Sequence, residues 1–172
     1  MYNAEKLLDD AIEIVKKIIG TDGMLEIKHP VVVKPTTSKG GSCKYAIGTT
    51  KYRALGPCTI SLSEYILKDE IPYEKVMEVV IHEVLHAHEH GNSHTGIWKM
   101  HANKITAETP YKITRCMNGK EYGIERKRRE TKYIVRCPHC GQTIVRTKMS
   151  KVVQHPEWYK CGICYHKLER VV

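Results

Sequence analysis

The sequence predicts an α+β domain followed by a small β module. Two observations lead to this prediction. First, helical and strand periodicities alternate over the first two thirds of the 172 residues, in the order helix, three short strands, two helices. Second, the last third carries two Cys-x-x-Cys pairs, Cys137/Cys140 and Cys161/Cys164, separated by twenty residues. A chain of this length accommodates one medium domain together with such a module.

The first predicted helix covers residues 4–19. Apolar residues recur there every three or four positions, which is the period of one helix face. Asn3 is a suitable N-cap, and Gly20 is a suitable helix stop. The other predicted elements of this part are strands over 31–33, 43–49 and 58–62, a short helix over 63–67 and a helix over about 95–108.

A further helix is predicted from Pro72, because proline suits a first turn and an apolar run follows it. This helix carries the sequence His82-Glu83-Val84-Leu85-His86. Residues four apart share a helix face, so both histidines can bind one metal ion, and Glu83 can reach a water on that metal. A buried helix rarely carries such polar groups without partners, because unpaired polar groups are costly there. We therefore predict a catalytic zinc site with Glu83 as the general base.

The third protein ligand of this zinc is predicted to be His94. A catalytic zinc needs three protein ligands and one open position. Gly91 is a helix stop after which the chain can turn and bring His94 back to the metal. A downstream glutamate such as Glu108 is the alternative, but His94 is much closer. The metzincin spacing is excluded, since it requires glycine at 89 and histidine at 92, where the chain has glutamate and asparagine.

Two further histidines, His88 and His90, lie next to this motif. On a continuous helix His88 points away from the ligand face, and His90 lies one turn beyond His86 on that face. We interpret both as exposed or supporting side chains.

The two cysteine pairs of the last third predict a structural zinc site. Four thiolates close the coordination shell and leave no position for a water nucleophile. The segments 133–135 and 143–146 suit hairpin strands, so the module is predicted to be a zinc ribbon. So small a unit buries little core, and metal binding would supply much of its folding free energy. A redox role of the pairs is the alternative, but a thioredoxin-like context is missing. Three nearby histidines are interpreted as bystanders, namely His139, His155 and His166.

The net charge of +9 is unevenly distributed. Residues 1–110 carry 13 basic and 14 acidic side chains, whereas residues 111–172 carry 15 and 5. This asymmetry predicts an acidic partner, above all nucleic acid, and a merely solvated basic surface is the alternative. The candidate nucleic-acid contacts are Arg126, Lys127, Arg128, Arg129, Arg136, Arg146, Lys148 and Trp158. The aromatic residues of the module are interpreted as ribbon core in the first place and as stacking platforms for bases in the second, namely Tyr133, Trp158, Tyr159 and Tyr165.

The three remaining cysteines, Cys43, Cys58 and Cys116, are interpreted as small buried side chains or inert thiols. An odd cysteine count with four in metal-binding spacing indicates a reducing compartment. The sequence has no apolar run that could span a membrane and no signal-peptide pattern. We therefore expect a monomeric cytoplasmic protein without a membrane partner, associated with the nucleoid if its source is a bacterium or a phage.

In combination, these motifs resemble the SprT-like metalloprotease family. The resemblance covers most of the chain. It rests on the helix segment 82–87, on His94 with Trp98 four residues later, and on the cysteine pairs of the ribbon. Upstream, the segments 42–43 and 59–63 are similar to the family's pattern before its active-site helix. Thr95 is a departure, because the family usually has glycine after the third histidine.

The resemblance implies a zincin-like minimal metalloprotease domain, in which helices pack on a small sheet, followed by a zinc ribbon. It implies one catalytic and one structural zinc ion. As in Spartan-type members, it also implies cleavage of proteins bound or crosslinked to single-stranded or distorted DNA. We predict the metalloprotease domain over 1–112, a basic connector over 113–130 and the ribbon over 131–172.

Two other functions are alternatives to this prediction. The first is a non-catalytic nucleic-acid-binding zinc protein, although the intact set of three histidines and Glu83 argues against lost chemistry. The second is another zinc hydrolase. A zinc endoribonuclease with the spacing H-x3-H-x5-H would require histidine where Asn92 stands, and a peptide deformylase would require an upstream cysteine ligand that nothing clearly supplies.

Overall fold

The structure, a computed structural model, describes residues 1–47, 53–122 and 130–172. The chain divides into two compact units, Met1–Glu125 and Arg126–Val172, and each has its own hydrophobic cluster. The fold is mixed α+β with small sheets, as the sequence predicts. The finer boundaries at residues 112 and 130 stay a prediction. Four predicted nucleic-acid contacts, Arg126, Lys127, Arg128 and Arg129, lie outside the described residues.

The first unit packs three helices with a three-stranded sheet. In chain order the elements are α1 (Ala4–Ile19), β1 (Ile27–Lys34), β2 (Gly41–Tyr45), β3 (Cys58–Ser63), α2 (Tyr73–His86) and α3 (Gly96–Glu108). The central strand is β3, which pairs with β1 in parallel and with β2 antiparallel. A short 3-10 helix, Gly119–Tyr122, follows α3.

The prediction for α1 is confirmed at both ends. The side chain of Asn3 accepts a hydrogen bond from the backbone N–H of Lys6 at 3.1 Å, so it satisfies a donor of the first turn. Gly20 ends the helix with φ +83°, a conformation that glycine adopts without strain. The buried face consists of Leu7, Leu8, Ala11 and Val15.

Several predicted elements differ from the structure. The strand predicted over 43–49 is Gly41–Tyr45, and residues 48–49 lie outside the described ones. The strand predicted over 31–33 extends over Ile27–Lys34, because β3 pairs with it on both sides of an irregularity between Lys28 and Val32. The short helix predicted over 63–67 is wrong, and the segment after Ser63 is a turn. The Ser63 hydroxyl donates to the Thr36 carbonyl and accepts from the Tyr65 N–H, which fixes a local turn after β3.

The motif helix α2 is buried over most of its surface, which explains why it is almost continuously apolar. It ends at His86, five residues before the predicted stop at Gly91. Residues 87–90 form a turn, and the Gly91 N–H donates to the carbonyl of His88 at 2.7 Å. A Cβ on Gly91 would overlap the backbone oxygen of Leu85, so glycine allows the chain to fold back here.

The second unit is a small antiparallel sheet with short helical turns. Its elements are β4 (Tyr133–Arg136), β5 (Thr143–Arg146), α4 (Lys151–Gln154), a 3-10 turn (Pro156–Trp158) and β6 (Glu169–Arg170). The strand order is β5-β4-β6, and the hairpin of β4 and β5 matches the prediction. Its buried cluster is Val135, Cys137, Val153, Cys161 and Leu168. Among all described residues, no helix combines the length and the apolarity that crossing a membrane requires.

Candidate metal centre and active site

Three histidines of the first unit meet at one point. His82 and His86 come from α2, and His94 comes from the loop between α2 and α3. The Nε2 atom of His94 lies 3.0 Å from that of His82 and 3.1 Å from that of His86. The structure therefore brings together the three side chains that the sequence predicts as ligands.

Backbone carbonyl groups orient two of these rings. His82 Nδ1 lies 2.8 Å from the carbonyl oxygen of Thr114, and His86 Nδ1 lies 2.5 Å from that of Gly91. A carbonyl oxygen only accepts, so each Nδ1 carries the proton and each Nε2 presents a lone pair to the common point. Burial lowers the pKa of His82 to about 4, with a smaller contribution from His86, so this imidazole is neutral at pH 7.

This arrangement fits a zinc ion. Neutral imidazole is a common zinc ligand, and ligating histidines usually donate their other N–H to a carbonyl or carboxylate. At a Zn–N distance of about 2.0–2.1 Å, tetrahedral ligands lie about 3.3 Å apart, close to the observed separations. Without a cation, converging Nε2 lone pairs would repel each other. The three histidines supply three ligands, which leaves the fourth position of a catalytic site.

Trp98 packs against all three histidines. Its ring centroid lies 4.8 Å from that of His82, 5.7 Å from that of His86 and 4.7 Å from that of His94, and its side chain is buried. Trp98 stands in the first turn of α3. The helix thus contributes an apolar wall that restricts the rotation of the ligand rings. The sequence identifies Trp98 as part of the family pattern, but it does not predict a role for this residue at the metal.

Glu83 follows His82 in α2, and this residue is only 7% exposed. Burial raises the pKa of Glu83 to about 7, while the charge of Lys39 and a hydrogen bond from the Cys43 backbone N–H act in the opposite direction. A cation at the histidines would lower that pKa again. A carboxyl group with a pKa near neutrality can take up and return a proton, which is the requirement for a general base.

Two cationic side chains, Lys39 and Arg115, influence residues of this centre. Lys39 precedes β2 and acts on Glu83, and Arg115 follows the carbonyl group that orients His82. Burial first, and the charge of Arg115 second, lower the pKa of His94. Sequence reasoning missed both residues, because they lie far from the motif along the chain. Their proximity depends on how β2 and the segment after α3 pack around α2.

Within the part of the chain that the structure describes, this centre consists of His82, His86 and His94 alone. Neither Glu108 nor another histidine belongs to it. Glu108 is exposed at the last residue of α3, so the alternative third ligand is not supported. His88 is 7% exposed, so only its interpretation as a supporting side chain remains, whereas His90 is exposed. The helix-face argument fails for His88 and His90 because α2 ends before them. His101 packs against His88, with ring centroids 5.2 Å apart.

The unpaired cysteines also differ in part from the interpretation as buried side chains. Cys58 is buried and Cys43 is half-buried, but Cys116 is exposed. A hydrogen bond with the Cys58 thiol, followed by burial, raises the pKa of Cys43, which is therefore a thiol and not a thiolate at neutral pH.

The second unit gathers four thiols at one point. The sulfur atoms of Cys137 and Cys164 lie 3.4 Å apart, those of Cys140 and Cys161 lie 3.5 Å apart, and all four lie within 4.8 Å of one another. A set of four cysteines at these separations is compatible with tetrahedral zinc and with a zinc ribbon. These are the four cysteines that the sequence predicts.

A third cluster of possible ligands shares Cys164 with the four thiols and adds His139 and His166. Its two imidazole rings stack in parallel, with centroids 3.8 Å apart and planes 4° apart. Lone pairs in the planes of parallel rings do not converge on one ion. The geometry therefore gives these histidines no ligand role, in agreement with their interpretation as bystanders.

The described candidates for nucleic-acid contact, Arg136, Arg146, Lys148 and Trp158, all have exposed side chains. Arg136 is already paired with Glu169 at 2.9 Å. Trp158 is 65% exposed and stacks on His155, with centroids 4.0 Å apart.

The expectation that the aromatic residues form the ribbon core is therefore wrong for Trp158 and Tyr165, which is 73% exposed. The side chain of Tyr159 is also exposed, at 37%, whereas Tyr133 packs against the core. The core of this unit instead consists of aliphatic side chains and cysteines.

The fold and the histidine centre of the first unit together define a domain of the zinc-metalloprotease type. The model of the SprT-like family matches residues 25–117, more than half of the chain, from just before β1 to beyond Thr114. The chain belongs to the SprT-like family. A comparison with curated proteins gave no match.

Proposed function

We propose that the protein is a zinc metalloendopeptidase that cleaves proteins bound or crosslinked to DNA. The observation that carries the proposal is that the Nε2 atom of His94 lies 3.0–3.1 Å from those of His82 and His86, while the neighbouring residue of α2, Glu83, is buried. A purely structural zinc site would need no base beside it. The DNA part of the proposal rests on the basic second unit and on the family.

The proposed mechanism assigns proton transfer to Glu83. His82, His86 and His94 would hold the zinc ion, which would lower the pKa of a bound water to about 7 and polarise the scissile carbonyl group. Glu83 accepts the proton of the attacking water as the C–O bond forms. It then delivers this proton to the leaving nitrogen as the C–N bond breaks. The products are one carboxylic acid and one amine, and Glu83 returns to its starting state.

The groups around the centre keep the ligands in place during this cycle. The carbonyl groups of Thr114 and Gly91 hold the rings of His82 and His86 in a single tautomer. Trp98 limits their rotation. The positive charge of Arg115 favours negative charge near His94, and we propose that it helps to stabilise the oxyanion that develops on the substrate carbonyl.

The second unit is proposed to bind DNA as a zinc ribbon with one structural zinc ion. Exposed Arg146 and Lys148 would contact phosphates, and the exposed ring of Trp158 would stack on an unpaired base. Neither contact reads a base sequence, which suits a protease that acts wherever a protein is trapped on DNA. We propose that the protein works as a monomer in the cytoplasm.

The test compares the wild type with Glu83→Gln on a DNA-binding protein as substrate. Each is incubated without DNA, with duplex DNA and with single-stranded DNA, after two bound zinc ions have been confirmed by elemental analysis. We expect cleavage by the wild type alone, and most strongly with single-stranded DNA. The Glu83→Gln protein is the matched control, because it keeps the metal ligands and removes only the base.

Three other outcomes would contradict the proposal in different ways. Equal cleavage without DNA, with duplex DNA and with single-stranded DNA would show that the protein is a protease whose activity does not depend on DNA. No cleavage with both zinc ions bound would favour a non-catalytic nucleic-acid-binding protein. Degradation of RNA by the wild type but not by Glu83→Gln would favour another zinc hydrolase.

A further inference from the structure

The turn between the second and third candidate ligands is tied to two distant segments. The N–H of Leu25 donates to the carbonyl of Ala87 at 2.7 Å, and the N–H of Glu89 donates to the carbonyl of Gly23 at 2.8 Å. From the other side, the N–H of Ala54 donates to the carbonyl of Glu89 at 2.5 Å. This clasped turn, residues 87–91, is therefore held by backbone contacts on both sides.

His88 is the buried side chain of the clasped turn, with 7% exposure. Its Nδ1 accepts a hydrogen bond from the His90 N–H at 3.1 Å, so this nitrogen carries no proton. In a neutral ring the proton is then on Nε2, the nitrogen that faces Gly23, which defines one tautomer.

Gly23 provides the space for this ring. It has φ +73°, and a Cβ there would lie 2.6 Å from Nε2 and 2.8 Å from Cε1 of His88. Any other residue would be strained by the backbone conformation and would push against the imidazole. The turn after α1 is therefore shaped to receive the His88 side chain.

The clasped turn ends at the residue that orients a metal ligand. The Gly91 N–H donates to the His88 carbonyl at 2.7 Å, and the Gly91 carbonyl accepts from His86 Nδ1. A shift of the turn would move this carbonyl and with it the ring of His86. Since His94 follows three residues after Gly91, the same shift would also move the third ligand.

We propose that His88 is a positioning residue of the metal centre, which locks the clasped turn so that Gly91 orients His86 and His94 reaches the common point. The inference rests on the proposed metal at the three histidines and not on peptide hydrolysis. His88 itself binds neither metal nor substrate. It acts through the hydrogen bond from the His90 N–H and through its close contact with Gly23, so its role differs from that of a side chain that merely fills the core.

The test measures how fast metal leaves the histidine centre. Wild type, His88→Leu, His88→Asn and His88→Gln are loaded with zinc, and release to a chelator is followed for the histidine and the cysteine site separately. Asn places an acceptor at the position of Nδ1, whereas Gln places its amide near Nε2 and leaves the His90 N–H without a partner. Val15→Ala, a core change in α1, is the control for a general loss of stability.

We expect His88→Leu to release zinc from the histidines about 10-fold faster or more, as for loss of groups that support a metal ligand. His88→Asn should stay within a few-fold of the wild type, and His88→Gln should lie between Asn and Leu. Release from the cysteine site should not change. Hydrogen exchange of the His90 N–H in the metal-free proteins should rise in the same order.

Release at the wild-type rate from all three variants would overturn the proposal. So would acceleration that Val15→Ala reproduces at an equal loss of melting temperature. If His88→Leu does not fold, the zinc release rates of His88→Asn and His88→Gln decide the question. Equal rates for these two variants would exclude a role of the hydrogen bond from the His90 N–H. A wild type that binds no metal at the histidines would contradict the proposed function as well, which separates the two failures.

Discussion

The side chain of Glu83 lies directly against the backbone of Gly41. A Cβ on Gly41 would lie 2.6 Å from Cγ and 2.9 Å from Oε1 of Glu83. Gly41 is the first residue of β2, and the backbone N–H of Cys43, two residues on, donates to the same carboxyl group. The first strand residues after the Lys39-Gly40 loop thus hold the proposed base from one side, while α2 holds it from the other.

This contact predicts that Gly41→Ala reduces peptidase activity without loss of metal. The added methyl group would displace the carboxyl group of Glu83, and a displacement of about 1 Å at a reacting group can cost about 100-fold in rate. We expect kcat to fall by about 10- to 100-fold, with zinc content unchanged by elemental analysis. Gly162→Ala is the control, since a Cβ there meets nothing within 4 Å. Equal activity of both variants would show that Gly41 does not position the base.

Glu83→Gln should change the pH dependence of stability of the chelator-treated protein. The folded pKa of Glu83, about 7, exceeds its ordinary value of 4.5, so its protonated form is favoured by folding. Stability is therefore present below pH 4.5 and is lost as the pH rises to 7, by up to about 3 kcal/mol. Glutamine removes this loss. Urea unfolding at pH 4 and pH 8 should show that the variant gains stability relative to the wild type mainly at pH 8, and a constant difference would refute the burial of an ionisable carboxyl group.

Substitution of the third ligand should remove one metal ion of two. His94→Ala removes a ligand whose Nε2 lies about equally far from both partners, so the remaining two histidines bind zinc weakly. We expect one zinc ion per chain for His94→Ala and two for His90→Ala. Elemental analysis after gel filtration provides the measurement. If His90→Ala lost an ion and His94→Ala did not, His90 would be the third ligand in place of His94.

The two cysteine knuckles of the second unit have the same backbone but different residues at one position. Gly141 and Tyr165 each follow the second cysteine of a pair, have φ +74° and +60°, and donate to the carbonyl of the first cysteine at 3.0 Å. A tyrosine in this conformation costs about 1 kcal/mol. Tyr165→Gly should therefore stabilise the zinc-loaded unit, seen as a higher melting temperature. Tyr159→Gly, at φ −110°, should destabilise it, and the same loss in both would contradict strain at Tyr165.

Binding of single-stranded DNA should depend on salt through unpaired cations of the second unit. Lys148→Gln removes one exposed charge and should reduce the slope of log K against log salt by about 1. Arg136→Gln should have a smaller effect, because Arg136 already pairs with Glu169. Fluorescence anisotropy over a salt series measures both slopes. A binding constant that does not fall with salt would exclude phosphate contacts.

The elements that carry the chemistry could be predicted because each leaves a local pattern. The period of α1, the buried run of α2 and the paired cysteines depend on neighbours within one element. His94 was predictable from coordination number alone, since a three-ligand zinc site needed one more nearby histidine. The hairpin of β4 and β5 follows from two short strand patterns on either side of the first cysteine pair.

The surroundings of the site could not be predicted, because they depend on contacts between residues far apart in the chain. The carbonyl of Thr114 meets His82 from 32 residues away, and no side-chain pattern marks a backbone acceptor. The burial of His88 depends on the turn at Gly23. The end of α2 at His86 could not be predicted for the same reason. The turn that follows α2 is held by backbone hydrogen bonds with Gly23 and Leu25, which lie far away in the sequence.

The most direct test of the metal centre is anomalous scattering at the zinc edge from crystals of the full chain. We predict one peak about 2.0–2.1 Å from the Nε2 atoms of His82, His86 and His94, and a second about 2.3 Å from the four cysteine sulfur atoms. The first peak would lie beside the carboxyl group of Glu83. A single peak at the cysteines, with the three imidazoles turned away from one another in a zinc-containing crystal, would contradict the account.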